Sequence, residues 1–183
     1  MHRIGLIADT HGLLRPEAVS FLRGCDSIVH AGDICGPGIL ERLATLAPLT
    51  AVRGNNDTGD WALQLRETEL LQVDQVFIYA LHDLGQLDIE PAQAGVQVVV
   101  SGHSHRPAIQ TREGVWYVNP GSAGPRRFRL PVSIGELVVD GDAVTPRIVE
   151  LDAENVARTE PLRERRRRMR DPAAVVACKR ISR

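Results

Sequence analysis

Five short stretches of this chain carry side chains able to share a metal ion: Asp9-Thr10-His11, Gly32-Asp33, Gly54-Asn55-Asn56-Asp57, His82, and Gly102-His103-Ser104-His105. Their imidazole nitrogens, carboxylates and amide oxygen suit Mn, Fe, Zn or Ni better than Ca or Mg, which prefer all-oxygen sites. Asp9, His11, Asp33, Asn55, His82, His103 and His105 make seven candidate ligands. Seven is too many for one tetrahedral ion and right for two ions of higher coordination that share a carboxylate and a water. Asp33 is the natural bridge. Two dications against two aspartates leave a local positive surplus that attracts phosphate. Paired divalent ions clamp phosphoryl oxygens and acidify a bound water. The chemistry these residues predict is hydrolysis of a phosphate ester.

Far-apart ligands need elements that bring them together. Asp9, Asp33, Asn55, His82 and His103 follow one another at gaps of 24, 22, 27 and 21 residues, about one strand and its return each. Each ends or follows an apolar run: residues 3–8, 27–30, 49–52, 76–81 and 96–100 read as buried strands. In a largely parallel sheet such positions gather beyond the carboxyl ends of the strands, where ligands bind. Helices are predicted over 16–22, opening with Pro16, and over 38–46, where Ile39, Leu40, Leu43 and Ala44 form a stripe. A short helix is expected near 91–94. Hairpins are signalled at Asp74-Gln75, Glu113-Gly114 and Asp140-Gly141-Asp142.

Every one of these residues also has an ordinary role open to it. Asp9 with His11 reads equally as a turn and helix N-cap, and Asn55 as a residue suited to turn geometry. Asp33 reads also as a plain turn acid, His82 as a structural histidine, and His103 with His105 as part of a polar loop. Asp57 is expected to support the ligands or the turn rather than bind metal itself. His30, inside the second strand, reads as structural. Asn119-Pro120-Gly121-Ser122 is a turn that either supports His105 or shapes the pocket floor.

The 183 residues are 43% hydrophobic and 25% charged with a net charge of −1, which fits one globular domain and excludes a disordered chain. No apolar run is long enough for a membrane span. Cys25, Cys35 and Cys178 fit neither a disulfide framework nor a zinc knuckle, so a reduced, cytoplasmic setting is expected. The charge is split: residues 163–183 hold nine Lys/Arg against Glu164 and Asp171, while the preceding 162 residues stand at −8. We divide the chain into a domain over 1–158 and a basic tail over 159–183, helical or partly disordered. Its run Arg165–Arg168 can bind nucleic acid by counterion release. With no aromatic residue between Arg163 and Arg183 it has no stacking platform, and a solvated tail folding back on the acidic body is preferred.

The motifs Asp9-Thr10-His11-Gly12, Gly32-Asp33, Arg53-Gly54-Asn55-Asn56-Asp57, His82, Gly102-His103-Ser104-His105 and Asn119-Pro120-Gly121-Ser122 together resemble the calcineurin-like metallophosphoesterase superfamily, most of all its small prokaryotic phosphodiesterases. The resemblance covers roughly residues 3–151 in unbroken motif order. It implies an α/β (α+β) fold, a four-layer αββα sandwich of two mixed β-sheets flanked by helices. Carried over, it implies one metal on Asp9, His11, Asp33 and His105 and a second on Asp33, Asn55, His82 and His103, with a metal-bound hydroxide attacking phosphorus in line. Asp33, Asn55 and His103 are read as catalytic, and Asn56, Arg126 and Arg127 as substrate-binding. Mn²⁺ is the expected cofactor, with Ni²⁺, Fe²⁺ or Zn²⁺ as alternatives. The expected substrate is a small phosphodiester or nucleotide-like molecule, and the open edges of such sheets can pair into a homo-oligomer. Two departures stand out. Asn56 replaces the His or Cys often found there, so activated aryl diesters are expected to react better than alkyl ones. Leu81-His82-Asp83-Leu84 keeps only the first histidine of the usual Thr-His-Gly-His. The alternatives are a non-catalytic scaffold, as in the retromer subunit that resembles this family, and a nuclease-like enzyme using the tail.

Overall fold

The computed structural model describes residues 1–151; the expected boundary at 158 and the basic tail lie outside the described residues. The chain runs β1 (His2–Ile7), α1 (Pro16–Leu22), β2 (Ser27–His30), α2 (Pro37–Ala44), β3 (Leu49–Ala51), β4 (Thr68–Val73), β5 (Val76–Leu81), β6 (Val98–Val100), β7 (Ala108–Arg112), β8 (Val115–Asn119), β9 (Ser133–Asp140) and β10 (Ala143–Glu150). Single 3-10 turns sit at Ala62–Gln64 and Leu84–Gln86.

Two mixed five-stranded sheets form, in the orders β10-β9-β1-β2-β3 and β4-β5-β6-β8-β7. β1, β2 and β3 are parallel, with Ile7 beside His30 and His30 beside Ala51. β5, β6 and β8 are parallel in the other sheet. Alternation along each strand sorts side chains onto two faces. Ile4, Leu6, Val29, Ile78, Val98 and Val100 turn inward and fill the space between the sheets. Ile7 and Ile28 turn outward and pack under the helices with Phe21, Leu22 and Leu43. A third cluster, Leu81, Val96, Val99 and Val115, lies on the outer face of the second sheet.

The two-sheet sandwich is the architecture expected from the motifs. Its outer layers differ in weight. Both helices cover the first sheet, whereas Leu84, Leu87 and Ile89, from a 3-10 turn and a loop, cover the second. The helix expected at 91–94 is a single turn. The Val96 and Gly95 amides donate back to the carbonyls of Pro91 and Ala92, and Gly95 at φ 73° ends the turn in the left-handed region. No helix among the described residues is long and apolar enough to cross a membrane.

Candidate metal centre

Parallel pairing carries Asp9, Asp33 and Asn55 to the same edge of the first sheet, just past β1, β2 and β3. His82 and the 103–105 loop reach that edge from the second sheet, past β5 and β6. The loops are locally unusual. Asp9, His11, Asp33, Cys35, His103 and His105 all have φ between 44° and 65°. Each of the three loops thus places its first and third residues in the left-handed region, which costs a non-glycine residue about 1–3 kcal/mol. Main-chain bonds hold the first two loops side by side: the Asp9, His11 and Gly12 amides donate to the Gly32, Asp33 and Ile34 carbonyls. Two glycines permit the close approach. A Cβ on Gly54 would overlap the backbone and carboxylate of Asp33. One on Gly102 would lie 2.8 Å from the Ala31 carbonyl oxygen and 3.0 Å from Asp9 Oδ2.

Asp9, His11, Asp33 and His105 each offer a ligand atom within 4.8 Å of the others. The His11 and His105 rings stack, with their Nε2 atoms 3.2 Å apart. Next to this group, Asn55 Oδ1 lies 3.1 Å from His82 Nε2 and 3.0 Å from His103 Nδ1. His82 Nε2 stands 3.4 Å from Asp33 Oδ1, so Asp33 touches both groups. All seven ligands expected from the sequence converge.

The electrostatics fit a cationic occupant. Asp9 is fully buried, and neither of its carboxylate oxygens has a hydrogen-bond partner. Burial pushes its pKa up to about 7. His105 lies 3.3 Å from it, yet burial lowers this imidazole to about 4 and its Nδ1 is also unpartnered. Burial lowers His11 as well. A buried, unpaired carboxylate beside imidazoles that resist protonation is costly alone and suited to a metal ion. Asp33 behaves differently. Burial would raise it, but hydrogen bonds from His82 and from the Asn56 main chain and side chain hold it well below the usual carboxylate range. The His82 Nδ1–H donates to the Ala31 carbonyl at 2.7 Å, which turns Nε2 toward Asp33 and Asn55. Burial opposes charge on His82, but these two bonds raise its pKa overall.

Asp57 is buried and accepts from the Ile34, Cys35 and Gly54 amides, each at 2.8 Å, tying the second and third loops together. Asn56 donates its side-chain amide to Asp33 Oδ2 at 2.6 Å. Arg127 reaches the cluster, with Nη2 3.2 Å from His11 Nε2, while Arg126 lies exposed on the same loop. Asn119 donates to the Gly102 carbonyl and to Ser104, and Ser122 donates to the Asp9 carbonyl, so this turn supports the ligand loops. His30 is fully buried against Thr10. The Thr10 hydroxyl donates to the Ile34 carbonyl, so His30 Nε2–H donates to it and the ring is neutral, in keeping with burial lowering its pKa to about 3.

Sequence reasoning missed Cys35, whose Sγ lies 3.7 Å from His11 Nδ1. Its signal was present, because Asp33-Ile34-Cys35 repeats the spacing of Asp9-Thr10-His11. Arg53, which opens the third motif, pairs with Glu67. Both line a cleft of about 380 Å³ that opens onto Asn55, His82 and His103.

This fold and this edge of converging Asp, Asn and His residues define a metal-dependent phosphoesterase class. Residues 2–142 match the model of the calcineurin-like phosphoesterase superfamily domain, and the chain belongs to that family. It is 34% identical over 162 residues to a probable metallophosphoesterase of Methanothermobacter thermautotrophicus, covering 82% of this chain and 93% of the relative. It is 25% identical over 137 residues to a phosphodiesterase of Methanocaldococcus jannaschii, covering 65% of this chain and 82% of the relative. Its fold is similar to that of Chaetomium thermophilum Vps29, with TM-score 0.73 and 21% identity, covering 85% of this chain and 92% of that one.

Proposed function

We propose that this protein is a dinuclear metal-dependent phosphodiesterase. Asp9, His11, Asp33 and His105 would hold one divalent ion, and Asp33, Asn55, His82 and His103 a second, Mn²⁺ first and Ni²⁺, Fe²⁺ or Zn²⁺ as alternatives. The observation that carries this reading is Asp9, fully buried with both oxygens unpartnered, within 4.8 Å of three other ligand atoms.

When bound, such paired ions supply an acidified water and positive charge for the phosphoryl oxygens. The chain does the positioning. Asn56 keeps Asp33 ionised and fixed as the shared ligand. Ala31 sets the tautomer of His82. Asp57 holds the second and third loops at a constant spacing. Arg127, beside His11, would grip a non-bridging phosphate oxygen, since a guanidinium fork matches phosphate geometry; Arg126 sits on the same loop. Asn56 has no proton to give a departing alkoxide, so the leaving group departs as its own anion.

With added Mn²⁺, the protein should hydrolyse bis(p-nitrophenyl) phosphate, and His105→Ala should abolish turnover. Elemental analysis of the purified protein should find two metal ions per chain. Undiminished turnover in the variant would sink the assignment. Metal uptake without hydrolysis of any diester would favour a protein-binding scaffold on this fold.

A further inference from the structure

The thin outer layer on the second sheet leaves part of that face open. Leu84, Leu87 and Ile89 cover it over Leu81, Val96 and Val99. Further along, β7 and β8 extend past them. Tyr117 is in register with Gln110 and Val99, and Asn119 with Ala108, so these side chains share the outward face as a shelf. The shelf floors a cavity of about 210 Å³. Asp83 and His103 form its end wall, and the same two residues line the larger cleft beside the proposed metal pair. The two hollows therefore meet at His103.

Their charges are opposite. The larger cleft is lined by Asp57, Glu67, Asp83 and Asp88, and its one arginine, Arg53, is engaged by Glu67. The shelf carries Arg106 and Arg112 against a single acid, the shared Asp83. The Arg112 guanidinium sits over the Tyr117 ring, 5.0 Å from its centroid, and donates to Gln110 at 2.8 Å. The anionic phosphate of a substrate is disfavoured along the first hollow and favoured along the second. An aromatic ring paired with a guanidinium plane is a surface on which bases stack.

We propose that this shelf is a nucleoside subsite, so that the substrate is a phosphodiester with a nucleoside on one of its oxygens. The base would stack at Tyr117 and Arg112, with Gln110 and Ser104 at its polar edge and the sugar leading past His103. The proposal rests on the phosphodiesterase reading and deepens it.

Thymidine 5′-(p-nitrophenyl phosphate) and methyl p-nitrophenyl phosphate share a leaving group and differ in the nucleoside. The Mn²⁺-loaded protein should prefer the thymidine ester by about tenfold or more in kcat/KM, mostly through KM, as one stacked base predicts. Arg112→Ala removes the guanidinium plane. Ala108→Phe fills the cavity from an edge strand that accepts aromatic residues. Each should bring the ratio close to one. Metal-independent binding gives a second readout: in saturation-transfer NMR of thymidine 5′-monophosphate with metal-free protein, the base protons should receive saturation from wild type and none from Ala108→Phe. A wild-type ratio near one, or a preference that survives both substitutions, overturns the subsite and leaves the phosphodiesterase standing. If neither ester is hydrolysed with any of the four metals, the phosphodiesterase reading fails. The NMR experiment then decides the shelf: base-proton saturation that disappears in Ala108→Phe supports it, and a wild-type spectrum without such saturation overturns it.

Discussion

Asn56 grips Asp33 twice: its main-chain N–H donates to Oδ1 at 2.8 Å and its side-chain amide to Oδ2 at 2.6 Å. Both bonds stabilise the ionised carboxylate, and together with the His82 hydrogen bond they outweigh a burial that would raise its pKa. The residue read from sequence as substrate-binding thus reaches toward the proposed shared ligand. Asn56→Ala keeps the main-chain bond and removes the other. It should weaken metal binding at the pair of sites that share Asp33 by about 10–100-fold, the usual size of such supporting interactions. Calorimetric Mn²⁺ titration measures this; unchanged affinity at both sites would show that the amide plays no part in metal binding.

The same residue should set leaving-group preference. A p-nitrophenolate departs without a proton, whereas an alkoxide gains from a positioned acid, worth about 10²–10⁴-fold. Wild-type protein should hydrolyse bis(p-nitrophenyl) phosphate far faster than a dialkyl diester of similar size. Asn56→His should narrow that ratio, an effect read from the ratio itself because the substitution also removes a hydrogen bond to Asp33. A wild-type ratio close to one would count against this account.

Asp9 should couple metal binding to pH. Its folded pKa of about 7 lies above the unfolded value of 3.8, so between those limits the metal-free folded state holds the extra proton. Stability from this group is complete below about pH 4 and is lost as pH rises toward 7, by up to about 1.4 kcal/mol per pH unit. Asp9→Asn removes the effect. Urea unfolding without metal should show the variant gaining on wild type from pH 4 to 7 and level above that. Metal loading at pH 6 should release a proton from wild type, detectable with an indicator dye, and metal affinity should rise with pH through about 7. A constant gap between the two proteins across this range would refute the buried, protonated Asp9.

Gly102→Ala tests the close packing of the two strand ends. The new methyl group would press on the Ala31 carbonyl and Asp9 Oδ2, neither of which is the end of a flexible chain. Overpacking of this kind costs about 1–3 kcal/mol. Both thermal stability and metal affinity should fall, whereas Gly36→Ala, in open space, should leave metal affinity unchanged.

Much of the fold was legible from periodicity. The bounds of α1, β2 and β5 match the residues read from the sequence, and the three hairpin turns fall where Asp-Gln, Glu-Gly and Asp-Gly-Asp mark them. These features are local: alternation and turn chemistry act over a few residues. The short helix expected near 91–94 is only one turn because Gly95, in the left-handed region, ends it.

By itself, the sequence determined which side chains could bind metal, their order along the chain and the strand ends that carry them. Tertiary structure decided how they meet. β9 lies beside β1 across more than a hundred residues, and the 103–105 loop faces Asp9 from the other sheet. The left-handed loops, the buried and unpartnered Asp9, the turn of Asn56 toward Asp33 and the open shelf at Tyr117 follow from those contacts. A residue's chemistry is written in its type, but its pKa, partners and exposure depend on neighbours that only folding supplies.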